Sequence, residues 1–332
     1  MIVAEMSANH NGSLKRALQI VEAAQKAGAH AVKLQTFTAE TITMRSNHPR
    51  FRVSNDNPWA GQSLFELYQR ASLPWEWHKE IFDLGKKIGI TVFSSPFDST
   101  AVDFLEKLDA PAYKIASCEL VDLELIRCCA RTGKPLIMST GMASFDEIKE
   151  AVETAREVGP CDLVLLRCST VYPSPAGLSN LKIMNHLAES FHVLTGFSDH
   201  TVGIGASLAA TALGAVLIER HFTLSRKDRG LDDFYALEPS ELKLLVDESK
   251  AAHEAVGSIR YELSEDEKPY KRYRRSLFFA RDIRKGSCIV PEDIRSIRPS
   301  DGLAPKYLKE IVGRKVRLDV KRGIPVSWDL VE

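Results

Sequence analysis

Residues 192–221 read HVLTGFSDHTVGIGASLAATALGAVLIERH. The segment opens on a short apolar run at 192–197, turns polar at Ser198-Asp199-His200, and continues through an alanine-rich amphipathic stretch, 204–213, that stops at Gly214. A second apolar run at 215–220 follows, carrying Glu219-Arg220 at its end and leading into His221. A buried strand, a helix closed by glycine and another buried strand make one β/α unit of a parallel sheet. Further runs at 2–5, 31–35, 91–94, 112–117, 136–140 and 163–168 bring the strands to eight. Amphipathic stretches such as 14–27, 75–87 and 145–158 lie between them, and Gly28, Gly89, Gly133 and Gly159 sit in the turns that follow helical stretches. Eight such units in about 255 residues predict an α/β fold of the (β/α)8, or TIM-barrel, type.

Two segments depart from this rhythm. Residues 41–63 are long, polar and proline-containing, and a loop of that length after a barrel strand is usually functional. After the eighth helix, 258–273 is a run of charge and tyrosine with one proline, which reads as a linker. Beyond it, 274–332 holds short strand-like runs with turns at Lys285-Gly286 and Arg322-Gly323, so a small β-rich domain follows a barrel domain of residues 1–257.

Composition narrows the function. The chain has 332 residues, 44 Lys+Arg against 44 Asp+Glu, a formal net charge of +0 and a hydrophobic share of 44%. That balance leaves no basic footprint for nucleic acid and no field for an anionic membrane, so any anion site must be local. No apolar run approaches membrane-spanning length and no signal segment opens the chain, which predicts a soluble cytoplasmic protein. The six cysteines, at 118, 128, 129, 161, 168 and 288, show no C-x-x-C spacing and read as reduced buried thiols.

In a barrel of this kind chemistry collects at the C-terminal strand ends, and here those ends are polar. They carry Glu5 with Asn9-His10-Asn11 beyond, Lys33 and Gln35, Ser94-Ser95, Lys114 with Ser117 and Glu119, Ser139-Thr140, Cys168-Ser169-Thr170 with Tyr172, Ser198-Asp199-His200, and Glu219-Arg220-His221, all read as facing one mouth. A single strand-end hydroxyl such as Ser169 or Thr140 is equally at home as a helix N-cap. Lys33 and Lys114 are different, because an ammonium inside an apolar strand is costly unless an anion meets it. His200 and His221 stand 21 residues apart, one β/α unit, so the two imidazoles occupy neighbouring strand ends and can share a divalent metal with open positions. His10 reads as organising the site by hydrogen bonds, while His78, His186 and His253 fall in helical patterns and read as surface residues. Two lysines, a set of hydroxyls and helix N-termini suit a phosphate-plus-carboxylate ligand, and a metal beside them can polarise a carbonyl. Together they predict carbon–carbon bond formation between a small phosphorylated acid and an aldehyde.

The stretches Ile2-Val-Ala-Glu-Met-Ser-Ala-Asn-His-Asn-Gly12, Val32-Lys-Leu-Gln35, Lys114-Ile-Ala-Ser-Cys-Glu119, Ser139-Thr-Gly-Met142, Gly196-Phe-Ser-Asp-His200 and Ile218-Glu-Arg-His221 resemble the signature motifs of the sialic acid synthase family. The likeness covers essentially the whole chain, and the final module resembles the family's antifreeze-like (SAF, β-clip) domain. Ser7-Ala8 and Pro74-Trp-Glu-Trp-His78 most resemble the pseudaminate branch.

The resemblance implies condensation of phosphoenolpyruvate with an open-chain N-acetylated hexose to a nine-carbon 2-keto acid. In the pseudaminate branch the acceptor is 2,4-diacetamido-2,4,6-trideoxy-L-altrose. By matched position, Lys33, Ser95, Lys114, Ser117, Ser139 and Ser198 would hold phosphoenolpyruvate, and His200 and His221 would bind Mn2+, or else Mg2+ or Co2+. Glu5, Gln35, Glu119, Tyr172 and Asp232 would face the sugar, with Glu119 the preferred group for proton transfer. Arg298, in Ile297-Arg-Pro299, would reach the acetamido end from the partner subunit of a domain-swapped homodimer. The metal would activate the aldehyde, C3 of phosphoenolpyruvate would attack it, water would add at C2 and phosphate would leave.

Thr170 stands where neuraminate synthases commonly carry Asn, which argues against that branch and alters contacts near phosphate or sugar. The family's short segment before the first strand is also missing here, which predicts a less sealed barrel floor or a start further upstream. Two alternatives remain: a neuraminate or legionaminate synthase, whose acceptor would be read partly by 41–63, and a sugar-binding protein without turnover. The second predicts erosion of Lys33, Lys114, His200 or His221, and all four are present.

Overall fold

Eight parallel strands close on themselves: β1 (Ile2–Glu5), β2 (Ala31–Thr36), β3 (Thr91–Pro96), β4 (Tyr113–Ile115), β5 (Leu136–Ser139), β6 (Leu163–Cys168), β7 (Leu194–Asp199) and β8 (Ile218–His221). Each pairs with the next, and β8 returns to β1 with Ile2 opposite Ile218 and Glu5 opposite His221. The computed structural model describes residues 1–54 and 59–332, in two units, Met1–Gly257 and Ser258–Glu332. Among the described residues no helix is long and apolar enough to cross a membrane.

The helices of the first unit are α1 (Leu14–Lys26), α2 (Ala39–Ile42), α3 (Leu64–Ala71), α4 (Trp75–Ile88), α5 (Ser99–Lys107), α6 (Leu123–Arg131), α7 (Phe145–Glu157), α8 (Lys182–Phe191), α9 (Gly205–Ala212) and α10 (Pro239–Val256). α1 shows why they form and where they pack. The Ser13 side chain accepts the Arg16 N–H at its start, and Ala17, Ile20, Val21 and Ala24, spaced three or four apart, are buried. Burying an Ile or Val side chain contributes about 1.5–3 kcal/mol, so this stripe fastens the helix to the barrel. α4 stops at Gly89, whose φ of 76° lies in the left-handed region that glycine reaches without a Cβ penalty.

Strand alternation builds two kinds of core. Outward side chains such as Ile2, Ala4, Val32 and Leu34 join the helices in the main apolar cluster. Inward side chains Val3, Ala31, Phe93, Ile137, Leu166 and Leu217 form a separate apolar layer across the barrel floor. Two residues further along the same strands the inward positions become Glu5, Lys33, Ser95, Ser139, Cys168 and Glu219. The period of two thus lifts the lumen from hydrocarbon to charge in one step. β7 contributes Gly196 at the lower level, where a Cβ would lie 2.2 Å from the Leu217 carbonyl oxygen, so glycine is what lets β7 approach β8.

Several expectations need correction. β4 is shorter than 112–117, because Ser117 opens a 3-10 turn, Ser117–Glu119, and β7 and β8 begin later than the apolar runs that announced them. The segment 41–63 is not purely loop: it overlaps α2, contains a 3-10 turn at Pro49–Phe51 and bridges Arg52 to Ser63, while 55–58 lie outside the described residues. His78 is not a surface residue. It is buried between barrel and helix, with Nε2 2.8 Å from Thr36 Oγ1 and Nδ1 3.3 Å from the Pro74 carbonyl, because α4 packs that face inward. All six thiols are free, but Cys118 and Cys288 are exposed, since one sits in the turn after β4 and the other on an irregular edge of the second unit.

The second unit contains one antiparallel pair, β9 (Ser276–Phe279) with β10 (Ile294–Ile297), Phe279 opposite Ile294. Isolated bridges Ile283–Val320, Cys288–Lys315 and Val316–Val331 extend it around a core of Leu277, Phe279, Ile289, Ile311 and Val326. The segment 258–273 is less of a free linker than its composition suggests. Lys268–Tyr273 forms a 3-10 turn, and the Arg272 carbonyl accepts the Ser300 N–H at 3.0 Å.

Candidate active site

The charged layer of the lumen is a set of interlocked ion pairs. Lys33 Nζ lies 2.6 Å from Glu5 Oε2 and 3.7 Å from Glu219 Oε1, and donates to Ser95 Oγ at 3.2 Å. Lys114 Nζ lies 3.3 Å from the same Glu219 oxygen, which also accepts from Ser198 Oγ at 3.2 Å. Both lysines and both glutamates are buried. Burial works against the Lys33 ammonium, yet Glu219 and Glu5 outweigh it and hold its pKa above the ordinary lysine value. For Lys114 burial wins over the single neighbouring carboxylate and the pKa falls. Glu219 is held below the usual carboxylate range, because Lys114 and Lys33 overcome its own desolvation. Lys114 is therefore the cation with the least compensation, and a buried cation of that kind attracts an incoming anion.

Hydroxyls surround this layer. Ser139 Oγ is buried with no hydrogen-bond partner among the described residues, as is Glu219 Oε2. Ser117 Oγ accepts the Gly141 N–H at 3.1 Å, and a Cβ on Gly141 would lie 2.8 Å from the Thr170 methyl, so Ser117 and Thr170 converge on one turn. The orphaned Ser139 hydroxyl can donate to an anionic oxygen of a ligand, whereas Glu219 Oε2, a carboxylate oxygen, can only accept and calls for a ligand hydroxyl or a water.

One step further along β7 and β8 come His200 and His221, their ring centroids 5.2 Å apart. His200 Nδ1 is 2.6 Å from the Ser169 carbonyl, which can only accept, so Nδ1 carries a proton; burial opposes the charged ring, but Cys168 and this carbonyl outweigh it and raise the His200 pKa above the ordinary histidine value. Burial, with His200 and Lys33 nearby, holds His221 well below the ordinary histidine pKa, so it is neutral. Two adjacent imidazoles, one oriented by a carbonyl acceptor on Nδ1 so that Nε2 is left for a ligand, form a donor set that fits a divalent transition metal, which would displace any proton on Nε2. Tyr172 packs on His200 with centroids 4.4 Å apart, and the Tyr235 hydroxyl lies 3.0 Å from His221 Nδ1.

The loops after β1 and β8 close one side. Gln35 Nε2 donates to Glu5 Oε1 at 2.9 Å and to Ser7 Oγ at 3.2 Å, and Ser7 Oγ in turn donates to Asp232. Ser7 sits at φ 46°, a conformation that costs a non-glycine residue on the order of 1–3 kcal/mol and that these bonds hold in place. Gly230 permits the closure, because a Cβ there would lie 2.0 Å from Asn11 Oδ1. Burial raises the Asp232 pKa despite the Ser7 hydrogen bond. Burial likewise pushes Glu119 up to about 7, with Oε2 left without a hydrogen-bond partner among the described residues. Among the described residues His10 hydrogen-bonds backbone, with Nε2 3.3 Å from the Ala71 carbonyl and Nδ1 accepting the Gly12 N–H at 3.1 Å, so it shapes the first loop.

The structure thus gathers Glu5, Lys33, Gln35, Ser95, Lys114, Ser139, Ser198, His200 and His221 in one lumen, with Ser117, Thr170, Tyr172 and Asp232 on the loops above. Arg298 is exposed in the second unit, immediately after β10. Asp199 and Arg220, expected at the mouth, point the other way: alternation with Ser198 and Glu219 puts them outside the barrel, paired with each other. Glu219, read at the mouth but given no role, lies at the centre of the charged layer. Its alternation with Leu217 and His221 places it on the inner face. Ser7 and Tyr235 gave no such signal, since a loop has no period.

A model of the NeuB family matches residues 20–261, and a model of the SAF domain matches 274–332. This chain belongs to the NeuB family. The pseudaminic acid synthase of Helicobacter pylori is 41% identical over 332 residues, all of this chain and 97% of that one. The N,N'-diacetyllegionaminic acid synthase of Legionella pneumophila is 35% identical, over all of this chain and 94% of that one. The solved N-acetylneuraminic acid synthetase of Leptospira borgpetersenii superposes with a TM-score of 0.72 at 30% identity, covering 82% of this chain and 90% of that one. This NeuB-family chain is accordingly an enzyme, a transferase of the synthase type, built on a closed parallel barrel with a SAF domain.

Proposed function

We propose that the chain is a pseudaminic acid synthase, condensing phosphoenolpyruvate with 2,4-diacetamido-2,4,6-trideoxy-L-altrose and water to a nine-carbon 2-keto acid and phosphate. The observation that carries the reaction class is the buried Lys33–Lys114 pair around Glu219, with His200 and His221 one step further along the strands. The acceptor rests on the 41% identity with the Helicobacter pylori enzyme. Phosphoenolpyruvate as the proposed substrate supports a cytoplasmic enzyme.

Lys114 and Lys33 bind the anionic groups of phosphoenolpyruvate, and Ser95, Ser117, Ser139 and Ser198 supply hydroxyls to its oxygens. His200 and His221 would hold a divalent metal, Mn2+ foremost, which when bound supplies Lewis-acid polarisation of the acceptor aldehyde. C3 of phosphoenolpyruvate forms the new bond to the aldehyde carbon, whose oxygen takes up a proton. Water then bonds to C2 and loses a proton, and the C2–O bond to phosphate breaks to leave the ketone. Glu5, Gln35 and Asp232 orient the acceptor, and Glu119 moves the proton at the aldehyde oxygen.

Phosphate release measured with the altrose, legionaminate-type and N-acetylmannosamine acceptors tests the assignment, and the altrose acceptor is expected to give the highest kcat/KM. A clear preference for either other sugar would reassign the branch, and no release with any sugar would reject the synthase. A second result concerns Glu119. With its pKa near 7, the acid form is present below neutrality and lost above it, so kcat should decline as pH rises through about 7. Glu119→Gln should lower kcat and remove that limb; a variant that keeps both points to another acid.

Arg298 completes the reading. Its planar guanidinium suits an acetamido carbonyl, and we place it over the barrel of a second subunit in a swapped homodimer. Arg298→Ala chains mixed with chains inactivated at Lys114 should then regain activity, because one composite site is intact. No recovery after verified subunit exchange would refute the swap.

A further inference from the structure

On the outside of the barrel Arg220 and Asp199 form an ion pair of 2.6 Å, Nη1 to Oδ2, with both side chains at most 1% exposed. Asp199 Oδ1 accepts the Thr201 N–H at 2.8 Å, Oδ2 accepts Ser207 Oγ from α9, and Arg220 Nη2 donates to the Thr201 carbonyl at 2.8 Å. Arg220 Nε has no partner among the described residues. A fully buried pair with an unmet donor is a poor way to gain stability, since packed hydrophobic side chains serve as well, and such a pair is better explained by the geometry it imposes.

That geometry is specific. Asp199 and Arg220 are directly opposite each other as the last paired positions of the β7–β8 ladder, and the next residues are His200 and His221. Because side chains alternate, a clasp on the outer face at this rung sends both imidazoles into the lumen at a set spacing, and a one-residue slip would turn one of them outward. The same clasp ties down Thr201, the residue that follows His200.

We propose that Asp199 and Arg220 are positioning residues that hold His200 and His221 at the separation a divalent cation requires. This rests on the metal reading of the two histidines, and the test separates the two. Co2+ alone is titrated into the full chain and followed by its visible absorption, with phosphoenolpyruvate binding measured on metal-free protein. Arg220→Met is expected to weaken Co2+ by roughly 10–100-fold, as loss of outer-shell support typically does, while phosphoenolpyruvate affinity at the lysines stays unchanged. Arg220→Lys, which keeps the charge but not the fork, should fall between. Asp199→Asn combined with Arg220→Met leaves no buried ion unpaired and guards against simple unfolding; it should show the same selective loss. A double variant that melts like the parent and binds Co2+ as tightly would overturn the proposal, as would equal loss of Co2+ and phosphoenolpyruvate binding. A parent chain that binds no Co2+ would overturn the metal reading and the clasp with it.

Discussion

Exhaustive chelation is expected to abolish phosphate release by this enzyme, and Mn2+, Co2+ or Mg2+ added back is expected to restore it. The ground is the pair of imidazoles at the ends of β7 and β8, 5.2 Å apart between centroids, with His200 Nδ1 engaged by the Ser169 carbonyl and Nε2 left for a ligand. Lewis-acid activation is worth several kcal/mol, so its loss corresponds to a thousandfold or more, on the order of the detection limit of a phosphate assay. Among the described residues no third His, Cys, Asp or Glu joins them, so His200 and His221 would be the protein's ligands to a bound ion. Full activity from protein shown to be metal-free would remove the metal from the mechanism.

Lys114→Met should cost about 2–5 kcal/mol in kcat/KM for phosphoenolpyruvate, chiefly through KM. Lys114 shares its one carboxylate, Glu219, with Lys33, whereas Lys33 also has Glu5 at 2.6 Å. The anion therefore gains most from Lys114. Lys33→Met should differ in kind, since it leaves Glu5 and Glu219 buried with less compensation and should lower folding stability by about 3–5 kcal/mol besides weakening the substrate. Steady-state kinetics with thermal melts of both variants separates the two effects. Parental kinetics in Lys114→Met would mean that the ammonium is only a satisfied core group.

The barrel was legible because each β/α unit repeats a local pattern: an apolar run, a polar end, an amphipathic stretch and a glycine. The inward strand residues were legible for the same reason, as Lys33 and Gln35 share a face by period two. Misreadings arose where a residue's neighbours come from distant parts of the chain. His78 carries a helix-surface spacing, yet α4 turns it onto Thr36, a strand residue 42 positions away. Ser7 acquires its place from Asp232, 225 residues on, and nothing local marks it.

By itself, the sequence determined the alternation of strands and helices, the ring of polar strand ends, the two lysines, the spacing of the two histidines and the small domain that follows. These depend on local periodicity and composition, which a single chain displays directly. Only the tertiary structure decided which polar groups share a surface. Closing the barrel brings β8 beside β1 and places Glu219 between Lys33 and Lys114, while the same alternation sends Asp199 and Arg220 outward to pair behind the histidines. Charge compensation in a desolvated lumen is a property of distances among residues from different strands, and those distances exist only once the sheet has closed.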